Sequence, residues 1–220
     1  MVAVAIIPAR GGSKGVHRKN LQVVGKETLL EQAIRKAQSA CYSVVVSSDC
    51  DEILKHAREC GAVDLKRPAN LAQDESSSEV VLVHAVMECG IKDRVALVQC
   101  TTPFMTVDDI SRCCQENTAD MSVVCHPFHG VLMNDQGQLL NRTAPVGRRQ
   151  DMRPQWVVSG SCWSFMPSYL NVPWYSGSIR IVPSSGMQME IDTPADLHTA
   201  QSMNTNCEYP LTEQWLEKLN

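Results

Sequence analysis

Two acidic residues late in the chain, Glu190 and Asp192, stand one residue apart in the run EIDTP. Alternate side chains of an extended strand point to the same face, so the two carboxylates are expected to converge at the end of a strand. Mg²⁺ prefers a few carboxylates together with phosphate oxygens and water. The pair therefore indicates a magnesium site. A capping role for Asp192 ahead of Thr193 and Pro194 is the alternative, and the two roles are compatible.

A second group of chemically useful residues follows the first apolar run, in the stretch PARGGSKG. Gly11 and Gly12 allow backbone amides to approach an anion closely. The nearby cations are Arg10, Lys14 and Lys19. The stretch fits neither G-x-G-x-x-G nor G-x-x-x-x-G-K-[ST]. It is predicted to bind phosphate, and an ordinary strand-to-helix turn with exposed cations is the alternative.

Strands and helices that would position these residues alternate over the first half of the chain. The apolar runs VAVAII, YSVVVSS and RVALVQC predict buried strands. Capping boxes at Thr28–Glu31 and Ser76–Glu79 predict helix starts, and Gly61 predicts a helix end. The alternation predicts an α/β fold with a mostly parallel sheet covered by helices on both faces. In such sheets ligands bind at the carboxyl ends of the strands, where PARGGSKG lies. Gln99, late in an apolar strand, is expected to face the same cleft, because an unpaired buried amide is costly.

The regular alternation ends near residue 126. The run VLMNDQGQLL predicts a hairpin around Asp135 to Gly137, and residues 141–155 are polar, rich in Arg and Pro, and without a clear period. The sheet resumes with VSGSCWSF and SIRIVP, and Thr193 with Pro194 begins the last main helix. The prediction is one domain over residues 1–220 with an inserted arm at about 126–155.

Composition narrows the range of partners. Hydrophobic residues make up 44% of the 220, enough for a substantial core, and the formal net charge of -4 gives no reason to expect nucleic acid or an acidic membrane. Local clusters of cations on such a chain suit a small anionic ligand, with a solvated basic face as the alternative.

Pro8 follows the first apolar run too soon for a signal peptide, and no run approaches the ~18 residues of a membrane helix. A cytoplasmic protein with its 10 cysteines as reduced thiols is expected.

Six ordered segments together resemble the acylneuraminate cytidylyltransferases, or CMP-sialic acid synthetases. They are IIPARGGSKGVHRKN, VVSSDCDEI, RPANLA with the following serines, LVQCTTPFMTVDDI, RRQD with the later SG, and EIDTP. The resemblance runs in order up to about residue 200. It implies a single three-layer α/β/α domain with a mostly parallel, Rossmann-like sheet of the nucleotide-diphospho-sugar transferase type and a protruding dimerisation arm. It also implies a homodimer that uses CTP, Mg²⁺ and a nine-carbon acidic sugar to form a CMP-sugar and pyrophosphate. The anomeric hydroxyl would attack the α-phosphate.

The resemblance also assigns roles to individual residues. The nucleotide would be bound by Ala9, Arg10, Gly12, Ser13, Lys14, Lys19, Asn20, Arg67 and Ser78. The sugar would be bound by Gln99, Thr101, His129, Arg149 and Trp163, with the Arg149 guanidinium receiving the sugar carboxylate. The metal ligands would be Glu190 and Asp192. Catalysis would depend on Arg10, Lys19 and Asp192.

Four positions depart from the pattern of that family. Glu190 replaces the common Asp, Ser159 the common Asn, His129 a Lys and Trp163 a Tyr. Three of the four, Ser159, Trp163 and His129, belong to the sugar end, whereas the nucleotide end is nearly intact. The sugar is therefore open among N-acetylneuraminic, legionaminic, pseudaminic and other nonulosonic acids. A related enzyme that uses GTP, and an inactive nucleotide-binding homologue, are the alternative functions. A metal pair of His126 and His129 is a weaker alternative, because two imidazoles alone rarely make a site.

Overall fold

The computed structural model describes residues 3–141 and 155–203, and a seven-stranded mixed sheet is the centre of this part of the chain. The strands are β1 (Ala3–Pro8), β2 (Val23–Val24), β3 (Glu27–Thr28), β4 (Ser43–Ser48), β5 (Val63–Lys66), β6 (Arg94–Val98), β7 (Met121–Phe128), β8 (Gln155–Phe165) and β9 (Ile179–Pro183). The α-helices are α1 (Leu29–Ala40), α2 (Asp51–Glu59), α3 (Ser78–Glu88), α4 (Val107–Cys113) and α5 (Pro194–Ser202). Short 3-10 turns cover Lys19–Leu21, Ala69–Leu71 and Pro167–Asn171.

The large sheet has the strand order β5-β4-β1-β6-β8-β7-β9, and β2 and β3 form a separate small pair. β5, β4, β1 and β6 are parallel to one another, as are β7 and β9. β8 is antiparallel to both of its neighbours, β6 and β7. The predicted mostly parallel sheet is confirmed. Because four adjacent strands run in one direction, their carboxyl ends lie along one edge of the sheet.

Two apolar clusters, one on each face of the sheet, form the core. Adjacent residues of β1 enter different clusters, Ile7 the first and Ile6 the second, as expected from the alternation of side chains along a strand. The first cluster also takes side chains from α1, α2, α4 and α5, and the second takes Leu82 and Ala85 from α3. Helices therefore cover both faces, which confirms the predicted three-layer α/β/α arrangement.

Helix starts follow the predicted capping chemistry at most places. Complete capping boxes at Thr28, Thr106 and Thr193 begin α1, α4 and α5. The predicted box between Ser76 and Glu79 is wrong: the N-cap of α3 is Ser77, and its side chain makes no capping hydrogen bond. The hydroxyl of Ser76 instead donates to the carbonyl of Asn70, at 3.4 Å.

The inserted arm lies partly within the sheet. At one end of the β7–β8 pair, Cys125–Phe128 pairs with 155–158 in antiparallel register, which extends the sheet beyond its parallel part. The predicted hairpin is confirmed by an antiparallel bridge between Met133 and Leu139. Residues 142–154 of the predicted arm lie outside the described residues.

The strand predicted to carry the two acids is absent from the described structure. β9 ends at Pro183, and residues 184–193 continue to α5 without strand pairing. In this stretch the side chain of Ile191 is fully buried, and its N–H donates to the carbonyl of Thr101 at 2.8 Å. Glu190 and Asp192 on either side of it are exposed, as expected if alternate side chains of an extended segment point away from the buried one.

Nine of the cysteines fall within the described residues, and all nine carry free thiols. The sulfur atoms of Cys41 and Cys114 lie 4.0 Å apart, a contact rather than a bond. Within residues 3–141 and 155–203, no helix has the length and apolar character needed to cross a bilayer.

Candidate functional site

A pocket of about 190 Å³ opens at the carboxyl edge of the parallel strands. Eight predicted site residues line it: Arg10, Ser13, Lys19, Asn20, Arg67, Ser78, Gln99 and Thr101. Its remaining lining is Pro8, Ser76 and Val81, which were not among the predicted residues. The pocket brings together side chains that follow β1, β5 and β6 with the start of α3, as the strand order requires.

The two glycines after β1 have different roles. The N–H of Gly11 donates to the carboxylate of Asp49 at 2.9 Å, and a Cβ on Gly11 would lie 2.7 Å from the Cβ of Cys50. The amide of Gly11 is therefore already bonded, which corrects the prediction that both glycines offer an amide to an anion. A Cβ on Gly12 would meet nothing within 4 Å, so its backbone borders open space. Asp49, which received no role from the sequence, fixes the loop to the end of β4.

Lys19 and Asn20, in the first 3-10 turn, join the glycine loop (Pro8–Gly15) to the late acidic residues. The buried amide of Asn20 donates to the carbonyl of Arg10 at 3.0 Å. The ammonium of Lys19 donates to the carbonyl of Ile191 at 2.8 Å and to a carboxylate oxygen of Asp192 at 2.9 Å. The Lys19 side chain is only 15% exposed, so this pair is partly shielded from water.

The acidic segment (Glu190–Asp192) lies against the pocket. The hydroxyl of Thr101, which lines the pocket, donates to Glu190 Oε1 at 3.2 Å. Partial burial, followed by the neighbouring charge of Asp192, raises the pKa of Glu190 above its ordinary value. Two adjacent carboxylates whose charges repel each other form an arrangement that a bound cation would stabilise.

Close packing around two glycines fixes the position of the acidic segment. A Cβ on Gly15 would lie 1.9 Å from the carbonyl oxygen of Asp192. Gly160 of β8 has a φ of +70°, and a Cβ there would lie 2.9 Å from Glu190 Oε2. Gly15 faces fixed backbone and Gly160 has a left-handed φ, so glycine is favoured at both places, and the backbone there approaches the two acids directly.

The same two acids fit a magnesium ion only in part. Among residues 3–141 and 155–203, no group of three or more His, Cys, Asp or Glu side chains is placed to hold a metal ion. Glu190 and Asp192 supply two oxygen ligands of the kind that Mg²⁺ takes, and the remaining positions would go to phosphate oxygens and water. The donor set therefore fits an ion that arrives with a phosphate ligand.

Arg67 is the most unusual polar group of the pocket. It is 4% exposed, its Nη2 donates to the carbonyl of Ser47 at 3.3 Å, and its buried Nε has no hydrogen-bond partner. Burial lowers the pKa of the guanidinium, while the charge of Asp49 acts in the opposite direction. A buried cation with an unused donor on a pocket wall is suited to bind a polar or anionic ligand.

Two residues predicted to bind the nucleotide have other contacts. Ala9 is fully buried in the core, and its N–H donates to the carbonyl of Ser47 at 2.9 Å, so its side chain does not face the pocket. Lys14 is outside the pocket lining, with its side chain 81% exposed and paired with Asp74. The same carboxylate accepts a hydrogen bond from Arg10 Nη1 at 2.5 Å.

Two residues predicted to bind the sugar, Trp163 and His129, are not in the pocket lining. Trp163 lies opposite Leu97 and Val123 in the sheet, so its ring packs in the core and its indole N–H donates to the hydroxyl of Tyr175. The structure thus places Trp163 in the core instead of in the pocket. His129 is half-buried just beyond the end of β7, and Arg149 lies outside the described residues.

The architecture is the Rossmann-like fold of nucleotidyltransferases. A solved CMP-2-keto-3-deoxy-manno-octonic acid synthetase complexed with CTP superposes with a TM-score of 0.71 at 16% identity, over 92% of this chain and 98% of that one. A 4-diphosphocytidyl-2C-methyl-D-erythritol synthase superposes with a TM-score of 0.65 at 14% identity, over 91% and 96% of the two chains. At these identities the likeness establishes the fold alone.

The sequence then defines the family. A profile of the cytidylyltransferase family matches residues 4–145, and the chain belongs to this family. The N-acylneuraminate cytidylyltransferase of Escherichia coli O18:K1:H7 is 39% identical over 103 residues, which are 46% of this chain and 25% of that protein. The pseudaminic acid cytidylyltransferase of Campylobacter jejuni is 35% identical over 115 residues, 49% of this chain and 50% of that protein.

A third relative carries a different sugar in its name. The CMP-N,N'-diacetyllegionaminic acid synthase of Campylobacter jejuni is 39% identical over 84 residues, 37% of this chain and 36% of that protein. In all three cases the match spans half or less of the curated relative's length. The resemblance to the acylneuraminate cytidylyltransferases is confirmed.

Proposed function

We propose that the protein transfers the cytidylyl group of CTP to a nonulosonic acid, giving a CMP-sugar and pyrophosphate. The observation that carries this proposal is the junction made by Lys19, which joins the cation-lined loop after β1 to the two carboxylates at the same pocket. The cytidylyltransferase family and the names of the relatives support cytidine as the base and a nine-carbon acid as the acceptor.

The proposed nucleotide position follows from the polarity of the pocket. The triphosphate lies along the open backbone of Gly12, where Arg10, Ser13 and Lys19 supply donors. The base and ribose extend toward Arg67 and Ser78, because these polar groups line the same pocket from the β5 and α3 side. The unused Nε of Arg67 is the donor expected to gain a partner on binding.

Glu190 and Asp192 would hold the magnesium ion of the nucleotide. When bound, Mg²⁺ would supply positive charge to the phosphate oxygens during the transfer. Asp192 is kept in position for this role by Lys19, and Glu190 by Thr101. Both carboxylates must be ionised to bind a metal, and the pKa of Glu190 is raised, so metal binding is expected to weaken as the pH falls.

The proposed chemical step is an in-line displacement at the α-phosphorus. The bond from the anomeric oxygen to the α-phosphorus forms as the bond from that phosphorus to the α–β bridging oxygen of CTP breaks, and this oxygen leaves as a terminal oxygen of pyrophosphate. The hydroxyl proton passes to solvent, so the step needs no side-chain base. Arg10 and Lys19 stabilise the charge that gathers on the phosphate oxygens, and the main contribution of the chain is positioning.

The sugar is proposed to bind beyond Gln99 and Thr101, at the far side of the pocket. His129 and Arg149 belong to the same proposal, with Arg149 as the partner of the sugar carboxylate. Because the relatives are named for three different nonulosonic acids, the acceptor is proposed as a class.

The direct test is to incubate the protein with CTP, Mg²⁺ and a panel of nonulosonic acids and to measure pyrophosphate. Release with at least one acid, and none when EDTA is added, is expected. A nucleotide panel followed by thermal shift separates the rival nucleotide, because stabilisation by GTP and not by CTP would overturn the cytidine assignment. CTP binding without turnover across the whole panel would favour an inactive homologue.

A homodimer is part of the proposal. The hairpin of the arm exposes apolar side chains that a second copy would cover, namely Val131, Leu132, Met133, Leu139 and Leu140. Light scattering is expected to give twice the monomer mass, and Leu140→Glu is expected to lower it. A monomeric wild-type protein at working concentration would contradict the proposal.

A cytoplasmic location is proposed from the reduced thiols and is tested by cell fractionation.

A further inference from the structure

One carboxylate, that of Asp74, pairs with two cations of the glycine loop, Arg10 and Lys14. Arg10 Nη1 donates to Asp74 Oδ1 at 2.5 Å, and the ammonium of Lys14 pairs with Asp74 Oδ2. Residues 10 and 74 are 64 positions apart, so the contact joins two separate elements. It crosses the rim of the pocket, which is lined by Arg10 and Ser13 on one side and by Ser76 and Ser78 on the other.

The segment that carries Asp74 is held mainly by its own short-range hydrogen bonds. Gln73 Nε2 donates to the carbonyl of Ala69 at 2.8 Å, and the N–H of Ser76 donates to the carbonyl of Gln73 at 3.2 Å. The side chain of Asp74 is 35% exposed. The segment is therefore locally ordered, and withdrawal of the Asp74 carboxylate from the loop would leave these bonds intact.

A phosphate ligand and Asp74 need the same donors. Phosphate oxygens and carboxylate oxygens both accept charge-assisted hydrogen bonds from guanidinium and ammonium groups. Hydrogen bonds from Lys14 and Arg10 lower the pKa of Asp74, so the carboxylate stays ionised and remains a competitor at neutral pH. One acid facing two cations leaves a net positive charge that still attracts a polyphosphate.

We infer that Asp74 is an internal anion that occupies Arg10 and Lys14 in the free protein and must be displaced when a polyphosphate binds. This inference rests on the proposed nucleotide site. Displacement of Asp74 makes the binding free energy of CTP and of pyrophosphate alike less favourable. CTP also gains contacts with Arg67 and Ser78, which pyrophosphate cannot reach at the same time. Asp74 therefore lowers the affinity for pyrophosphate and favours its release after transfer.

The test compares Asp74→Asn with Glu75→Gln, which removes the same charge one residue away. Glu75 is exposed and takes part in none of the ion pairs of residues 3–141 and 155–203. Sodium pyrophosphate is titrated by calorimetry at low salt with EDTA present. Asp74→Asn is expected to bind it roughly three- to tenfold more tightly than wild type, the range for loss of two exposed ion pairs. Glu75→Gln is expected to match wild type, and high salt to reduce the difference.

If Asp74 instead positions the cations for phosphate, Asp74→Asn will bind pyrophosphate as tightly as wild type or less tightly. That result would overturn the inference. The proposed function would stand if the wild-type protein binds CTP. If neither wild type nor Asp74→Asn binds pyrophosphate or CTP, the proposed nucleotide site and the inference are both overturned. Asp74→Ser, tested in parallel, guards against a folding defect specific to one substitution.

Discussion

Substitution of Gly15 by alanine tests the contact between the glycine loop and the acidic segment most directly. The new Cβ would lie 1.9 Å from the carbonyl oxygen of Asp192 and 3.1 Å from its carbonyl carbon. An ordinary C···O contact is about 3.3 Å, so the two backbones must separate by about 1.4 Å. Neither partner is a flexible side chain, and the movement must therefore be taken up by the loop or by the acidic segment.

The expected magnitude combines strain with weakened hydrogen bonds. Overpacking costs roughly 1–3 kcal/mol, and loss of the bonds from Lys19 adds about 1 kcal/mol. A total of about 2–4 kcal/mol corresponds to a fall in melting temperature of roughly 5–15 °C for a chain of this size. A displacement of about 1 Å between the carboxylates and the phosphate site is expected to lower turnover about 100-fold.

Scanning calorimetry and magnesium-dependent pyrophosphate release measure these two effects. Gly12→Ala is the matched control for stability, because a Cβ there meets open space, and its melting temperature is expected to be unchanged or slightly higher. A Gly15→Ala protein with the wild-type melting temperature and turnover would refute the close approach of loop and acid.

Three further predictions concern other parts of the molecule. Burial lowers the pKa of Lys36 from 10.5 to about 8. The folded protein therefore binds fewer protons than the unfolded chain between these pH values, and the free energy of unfolding rises as the pH rises through that range. Between pH 7 and pH 10, the free energy of unfolding in urea is expected to rise by about 2–3 kcal/mol more for wild type than for Lys36→Met. The same change with pH in both proteins would contradict this prediction. Ser78→Ala is expected to weaken CTP binding several-fold and Ser77→Ala to leave it unchanged, since only Ser78 lines the pocket; equal effects in thermal shift would contradict this assignment. Asp109→Ala removes a fully buried carboxylate that accepts hydrogen bonds from two hydroxyl groups and two backbone N–H groups. It is expected to cost about 3–5 kcal/mol in unfolding experiments, against less than about 1 kcal/mol for the exposed Asp108→Ala. No difference between the two variants would contradict it.

The features predicted best from the sequence are those that local chemistry determines. Thr28 and Glu31 form their capping box because both partners lie within one turn of α1. Adjacent residues Ile6 and Ile7 enter opposite clusters because strand geometry leaves no other choice. Residues that follow β1, β5 and β6 could be expected to meet in one pocket, because the carboxyl ends of adjacent parallel strands lie at the same edge of the sheet.

The features missed are contacts between distant residues. Asp49 accepts from Gly11 across 38 positions, and Asp74 pairs with Arg10 across 64, separations at which no periodic pattern operates. Trp163 was assigned to the sugar by its place in a motif, but its register opposite Leu97 directs the ring into the core. The motif could not specify which face of β8 the side chain occupies.

The attachment of Ile191 has a consequence for how the two acids can change. Its N–H and carbonyl bind Thr101 and Lys19, so the position of the acidic segment is set by a buried neighbour and no strand register runs through Glu190. If Glu190 holds the metal as proposed, its exchange for aspartate would shorten one ligand without shifting any ladder of paired strands, at little expense to the folded domain.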